Sequence, residues 1–396
     1  MSATEPASEP KKKAVRIEYL LGVLTALGPL TIDMYLPALP TIASDLGVHV
    51  SRVELTLAAY FAGFAIGQLL IGPLLDRYGR IGPLKIGVLL YLVGTLACLV
   101  SPSLELLVGA RFIQALGGAV VVVVPRAIVR DLYSGADVAR AMTRLILVMG
   151  VAPIVAPLLG GALLPLGWRV IFGVLTFAAL VVFFLIRFLP ETFVQKPGGR
   201  GLVRELKTLV TERDFVSYTL IGGFAMGAMF AYISASSNLL IGLYGVDPAH
   251  FGFFFGANAL AFIIMSQVSR YLLMRFSPAG ILRSAMLFLL AGAAVIVIAT
   301  QGTGGLPLLM VGLTSYLGAL GALAPNATAL ALEPHGPRAG LASALMGASQ
   351  SGLAALFAFA VSATHDGTAA PVGVIMAAGV GLSALVLASR GVWRAR

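Results

Sequence analysis

The chain has 396 residues, 59% of them apolar and 11% charged, with a mean hydropathy of +0.96. Soluble domains run at about 45–50% apolar and about 25% charged, so composition excludes a soluble enzyme or binding module and points to an integral membrane protein. The net charge of +10 is scattered between apolar stretches, which argues against nucleic acid, and the single cysteine, Cys98, excludes an intrachain disulfide.

About twenty apolar residues cross a bilayer core. Segmenting at charged and turn-forming clusters predicts twelve helices, near 17–39, 54–75, 82–100, 104–126, 141–164, 168–189, 215–241, 251–274, 280–300, 305–332, 338–362 and 369–390. Residues 1–16 read as a cytoplasmic tail, disordered over its first fifteen positions. Residues 17–190 form one six-helix half and 215–390 the other. A polar cytoplasmic loop, 191–214, joins them, and 391–396 is a second tail. The first apolar run is too long for a signal peptide and reads as an uncleaved helix. Lys11, Lys12, Lys13, Arg77, Arg80, Lys85, Arg130, Arg140, Arg144, Arg270, Arg275, Arg283 and Arg338 all fall on one side, against Arg52 and Arg169 on the other. That asymmetry predicts both termini in the cytoplasm.

Span 1 contains Thr31-Ile32-Asp33-Met34-Tyr35-Leu36-Pro37-Ala38-Leu39-Pro40. A charge that deep in a bilayer costs several kcal/mol and is usually kept for ions, protons or substrate. Asp33 reads as the sole acidic residue in any span core. Span 1 ends at 39 in this reading, which puts Asp33 about 9 Å below its outer end at 1.5 Å per residue. Arg111, in span 4, lies about 10 Å deep by the same rise. Asp33 and Arg111 are therefore expected to work as a proton-coupling pair, with Gln114 one turn further in. Tyr35, Tyr60, Met149, Tyr232, Asn238, Phe255, Asn258, Asn326 and Gln350 could also face a cavity. An apolar, aromatic pocket with few polar groups suits loosely specified ligands.

Between spans 2 and 3 stands Gly72-Pro73-Leu74-Leu75-Asp76-Arg77-Tyr78-Gly79-Arg80-Ile81-Gly82, read as a tight glycine-rich turn whose charges pair at the cytoplasmic helix ends. Ser269-Arg270-Tyr271, followed by Arg275, is a faint echo of it between spans 8 and 9. In span 4, Leu107 to Gly118 includes Arg111 and Gln114. Span 4 is followed by Arg130-Asp131-Leu132-Tyr133. In span 5, Ala152-Pro153-Ile154-Val155-Ala156-Pro157-Leu158-Leu159-Gly160-Gly161 should weaken the helix locally and let a neighbour approach.

The 72–82 loop resembles the signature of the major facilitator superfamily. The span 4 stretch is similar to its arginine-containing motif, associated with proton coupling. The span 5 stretch, with Pro153, Pro157, Gly160 and Gly161, is similar to the motif of its antiporters, departing from it at Ala156. With the residues around Asp33, those of 127–133, Phe251 to Asn258 and Ala339 to Leu345, the chain resembles the bicyclomycin and chloramphenicol resistance (Bcr/CflA) branch of drug:proton antiporters. The resemblance implies an all-α fold of two six-helix halves in the bacterial inner membrane. It also implies proton-driven export of small amphiphilic toxins, with a proton gradient and no cofactor or metal. The expected partners are that substrate, protons and lipid, with no nucleic acid, and the protein is expected to be a monomer. Gly72, Asp76, Arg77, Gly79, Arg80 and Asp131 are expected to form a cytoplasmic gate. Some antiporters of this kind carry a second acid two turns before the aspartate; here Thr25-Ala26 stands there.

Rival classes fare worse. His49, His250, His335 and His365 fall in predicted loops, and no Gly-x-Ser-x-Gly, His-Glu-x-x-His or nucleotide-binding Gly-x-x-x-x-Gly-Lys-Ser/Thr is present. A proton-coupled exporter of a metabolite such as a sugar or amino acid, on the same fold, is the main alternative.

Overall fold

The computed structural model describes residues 9–133, 136–193 and 202–389. Predicted positions 1–8 of the first tail, the middle of the central loop and the second tail lie outside the described residues. Among the described residues every regular element is helical, and twelve helices are long and apolar enough to cross a membrane. Spans 1 to 6 are Ile17–Asp45, Val50–Leu75, Ile81–Leu99, Leu104–Leu132, Val148–Leu166 and Arg169–Phe188. Spans 7 to 12 are Arg213–Leu243, Phe251–Leu272, Pro278–Thr300, Gly305–His335, Gly340–Ala363 and Ala370–Ser389. The end where span 1 begins and span 12 finishes is called here the terminal end, and the opposite one the far end.

Span 1 is not one helix. An α-helix runs Glu9–Asp33, a 3-10 turn follows at Leu36–Ala38, and a second helix runs Leu39–Asp45. Pro37 and Pro40 each stand in the first turn of a new piece, where a missing N–H breaks no bond. The span thus outruns its predicted end at 39. The start at Glu9 also makes residues 9–16 helical, against the expected disorder. In the central loop, a helix at Leu202–Thr211 buries Leu209 against Phe215, Ala331, Ala342 and Met346.

Glycine sets how closely the helices pack. A Cβ on Gly67 of span 2 would lie 2.7 Å from the Leu116 carbonyl oxygen of span 4, and one on Gly94 of span 3 would meet the Gln114 backbone. Lipid gives apolar surface no reason to leave it, so such backbone contact is a main source of helix association. The two six-helix halves meet along a seam of span 2 with span 11 and span 5 with span 8. Across it, the Phe61 and Phe230 rings lie 4.6 Å apart, and Ser362 Oγ donates to the Ser51 carbonyl at 2.6 Å.

Candidate functional site

The site grows from the break in span 1. Arg111, fully buried, projects from span 4 toward it. Its Nη1 donates to Gln114 Oε1 at 2.6 Å and to the Thr31 carbonyl at 3.2 Å. The guanidinium carbon stands 4.6 Å from the Tyr35 ring centre, 4.5 Å from that of Tyr60 and 6.0 Å from that of Phe172. Among the described residues Nε and Nη2 have no hydrogen-bond partner; the faces of these rings stabilise the cation instead, worth about 2 kcal/mol where water is excluded. Around this cage runs a polar chain. Gln114 Nε2 donates to Thr95 Oγ1 at 2.9 Å, Thr31 Oγ1 and the Tyr91 hydroxyl lie 2.7 Å apart, and the Tyr35 hydroxyl and Thr56 Oγ1 lie 2.9 Å apart. Spans 1 to 4 are tied together there.

Asp33 closes the first α-helix of span 1 and is 5% exposed. Among the described residues no ion pair joins it to Arg111. The equal depths expected of the two do not hold, because span 1 continues to Asp45 and places Asp33 about 18 Å below that end. The guanidinium makes up the difference by reaching inward to Thr31, two residues from Asp33. Tyr60, whose ring lies under the Arg111 guanidinium, is near Asp33 as well. Asp33, Arg111, Gln114, Tyr35 and Tyr60 thus share one locality.

The other cavity candidates scatter. Tyr232, Phe255 and Asn258 form a second cluster, in the C-terminal half. There Asn258 Nδ2 donates to the Tyr232 hydroxyl at 3.0 Å and Thr314 Oγ1 to Asn258 Oδ1 at 2.9 Å, while Tyr232 stacks on Phe255. Met149 is half-buried, with its sulfur 3.6 Å from Arg126 Nη2. Gln350 is half-buried, across from Gly222 of span 7. Asn326 is turned to packing, with Nδ2 on Ser269 Oγ and on the Ala322 carbonyl, both at 2.8 Å. Asn238 opens a π-helical turn, Asn238–Leu243, with its own Oδ1 toward Gly242.

At the terminal end, the expected turn is mostly helix. The span 2 helix runs on through Gly72, Pro73 and Arg77 to Tyr78, and only Gly79, at φ +82°, makes the turn. Gly72 has open space where a side chain would be. The Asp76 side chain lies outside the described residues, and Arg77 is exposed over Tyr78. Arg80 Nε donates to Asp131 Oδ2 at 2.8 Å, and its Nη1 to the Leu75 carbonyl at 3.1 Å. Sequence reasoning missed the centre of this cluster. Glu191 accepts from the backbone N–H of Arg80 at 2.9 Å and of Ile81 at 3.0 Å, as well as from Thr192 and Phe193. A carboxylate on the free N–H groups of a helix start is favourable. Thr192 Oγ1 adds a bond to Asp131 at 2.9 Å.

In span 5 the helix stays unbroken across Pro153 and Pro157. Gly160 abuts the Met34 carbonyl, next to Asp33, and Gly161 faces Pro248 across the seam. Asp33 is not the sole acid in the spans. Glu54, at the expected edge of span 2, is fully buried one turn inside it.

Two helical halves around a buried, charged, mid-bundle cluster make up the architecture of a membrane transporter. The Major Facilitator Superfamily matches residues 21–360, and the chain belongs to that superfamily. It is 37% identical to the uncharacterized MFS-type transporter YdgK of Bacillus subtilis, over 92% of each chain. To a bicyclomycin resistance protein homolog of Haemophilus influenzae it is 33% identical, over 92% of this chain and 93% of that one. To multidrug resistance protein D of Escherichia coli it is 31% identical, over 96% and 98%. These relatives bear out the resemblance to the bicyclomycin and chloramphenicol resistance branch. Among solved structures, a bacterial homolog of the lysosomal transporter Spinster, inward-facing and occupied, superposes with TM-score 0.73 at 15% identity, over 98% of both chains. A D-xylose–proton symporter gives TM-score 0.73 at 14% identity, over 94% and 96%. Both agree in fold.

Proposed function

We propose that this protein is a drug:proton antiporter of the bacterial inner membrane, with both termini cytoplasmic, exporting small amphiphilic toxins such as bicyclomycin- or chloramphenicol-like drugs. The observation that carries this reading is Asp33, a buried acid at a helix break in span 1, two residues from the Thr31 carbonyl that holds a cation fixed without it. Because Arg111 is held by aromatic faces, Gln114 and the Thr31 carbonyl, Asp33 is free to exchange partners. In one half of the cycle it carries a proton, and in the other it faces the substrate, whose cationic or hydrogen-bonding group replaces that proton. Binding of the two is mutually exclusive, which is the requirement for exchange. The aromatic cluster of Tyr232 and Phe255 supplies apolar contact surface from the second half. The relatives named for bicyclomycin and multidrug resistance support the substrate class.

The test is chloramphenicol accumulation in proteoliposomes after a pH jump, comparing wild type with Asp33→Asn. Wild type should concentrate the drug in response to the gradient, and Asp33→Asn should fold and insert yet not do so. Gradient-driven accumulation that survives in the variant would remove Asp33 from coupling.

A further inference from the structure

Glu54 has no role in the site described above. It lies in span 2, is fully buried, and among the described residues neither carboxyl oxygen has a hydrogen-bond partner. A buried acid left without a donor is expensive, and a leucine would pack the position at no such cost. Its helical phase shows where it faces. Ser51, Glu54, Ala58 and Phe61 follow a spacing of i, i+3, i+7 and i+10 and so share one face. On that face Phe61 packs against Phe230 of span 7, and one turn outward from Glu54 the Ser51 main-chain carbonyl accepts from Ser362 Oγ of span 11. Glu54 therefore lies on the seam between the halves, where a transport cycle opens and closes.

The charged groups around it are engaged elsewhere. On its own helix Arg52 pairs with Glu105 of span 4 at 3.4 Å, and Asp45 of span 1 pairs with Arg169 at 2.8 Å. Arg111 is held in its aromatic cage, and Asp33 lies deeper in span 1. Spans 7 and 11 bring no charged side chain to the far half of the seam. Beyond it, at the far surface, the rings of His49 and His365 lie 4.9 Å apart. His49, exposed, accepts from the Ser51 N–H, and Asp366 follows His365. Partial burial and the neighbouring His49 hold His365 below the ordinary imidazole range, against the pull of Asp366. An imidazole that parts readily with its proton thus stands outside a buried acid, with the Ser362–Ser51 contact between them.

We propose that Glu54 is a second proton-binding group of this transporter, loaded from the far face along the seam of spans 2 and 11 through the His49–His365 pair. The proposal rests on the proton-driven reading above. A proton from water binds an imidazole nitrogen, passes inward and ends as the O–H of the Glu54 carboxylic acid; opening of the seam returns it to water as the carboxylate reforms. No other reactant is involved.

The test counts protons without any drug. Purified full-length protein in weakly buffered detergent is stepped in pH, and the protons exchanged per molecule are read with an indicator dye. Glu54→Gln should exchange one fewer than wild type, and Glu54→Asp should restore it. An equal count in Glu54→Gln would overturn the proposal, leaving a permanently protonated structural acid. Should Glu54→Gln fail to fold, the protonated-carboxyl infrared band decides: its pH-dependent part should move in Glu54→Asp, and an unmoved band overturns the assignment. His49→Gln with His365→Gln takes the imidazoles' own protons out of the count, so the route is read from the Glu54-dependent part, the difference between that double variant with and without Glu54→Gln. That part should remain one proton and exchange at least several-fold more slowly than in wild type; an unchanged rate overturns the route. In vesicles with the membrane potential clamped at zero, chloramphenicol accumulation per pH unit should fall from about 100-fold to about 10-fold in Glu54→Gln, since each coupled proton contributes about tenfold per unit. A wild type indifferent to the gradient would sink the proton-driven reading itself, while the proton count would still decide Glu54.

Discussion

Arg80 Nε donates to Asp131 Oδ2 at 2.8 Å, and this contact ties the start of span 3 to the end of span 4. Both side chains are largely shielded, 12% and 22% exposed, so the pair should exceed an ordinary surface ion pair. Exchanging the charges as Arg80→Asp with Asp131→Arg should recover part of the stability that each single change removes. A double-mutant cycle on thermal unfolding in detergent should give a coupling of about 0.5–3 kcal/mol. Strict additivity of the two changes would mean that they do not cooperate.

Gly79 and Glu191 define a second test, read through pH. Partial burial pushes the Glu191 carboxyl up. The N–H groups of Ile81, Arg80, Phe193 and Thr192 together outweigh it and hold the group below the ordinary glutamate value. A depressed folded value means that the stabilisation is fully present above the unfolded value of about pH 4.3 and is lost as pH falls through the folded one. Glu191→Gln should therefore unfold at lower temperature than wild type near neutrality, with the two converging in acid. A gap that stays constant with pH would show that charge is not the cause.

The cage around Arg111 should depend on rings rather than hydroxyls. Tyr60→Leu removes a face from a buried cation and should cost about 2–4 kcal/mol, whereas Tyr60→Phe should cost less than about 1.5 kcal/mol. Arg111→Lys should behave like a loss, because an ammonium cannot lie flat against several rings while donating to Gln114. Unfolding temperatures of the three variants rank these effects, and a Tyr60→Phe as damaging as Tyr60→Leu would transfer the weight to the hydroxyl.

Two motif glycines should respond oppositely to alanine. A methyl on Gly160 would run into the Met34 carbonyl and force span 5 away from span 1, whereas at Gly72 it meets open space. Gly160→Ala should sharply reduce transport in proteoliposomes; Gly72→Ala should leave it near wild type. Comparable activity of the two would indicate that spans 1 and 5 do not need that closeness.

The spans and the superfamily were legible because hydropathy and short-range motifs are properties of contiguous sequence. The end of span 1 was not, since Leu36-Pro37-Ala38-Leu39-Pro40 looks like a stop, yet proline is at home in the first turn of each new helical piece. Glycine spacing over 72–79 suggested a loop for the same local reason, although only Gly79 leaves the helix. Glu191 escaped because its partners, Arg80 and Ile81, stand 111 and 110 residues away. Glu54 went unremarked because the predicted span 2 begins at position 54, whereas the helix starts one turn earlier, at Val50. Asn326 shows the converse error: a polar side chain in a span promised a cavity and was spent on Ser269.

Spans 2, 3 and 4 touch backbone to backbone at Gly63, Gly67, Gly94 and Gly117, and this bears on how the protein can change under selection. These contacts leave no room for even one carbon, so heritable variation there is paid in folding and should be purged whatever drug is applied. The seam is lined by side chains such as Phe61, Phe230 and Ile154, whose size can drift without unlocking the triplet. New resistance profiles should therefore arise by substitution at the seam, with the glycine-locked helices inherited unchanged.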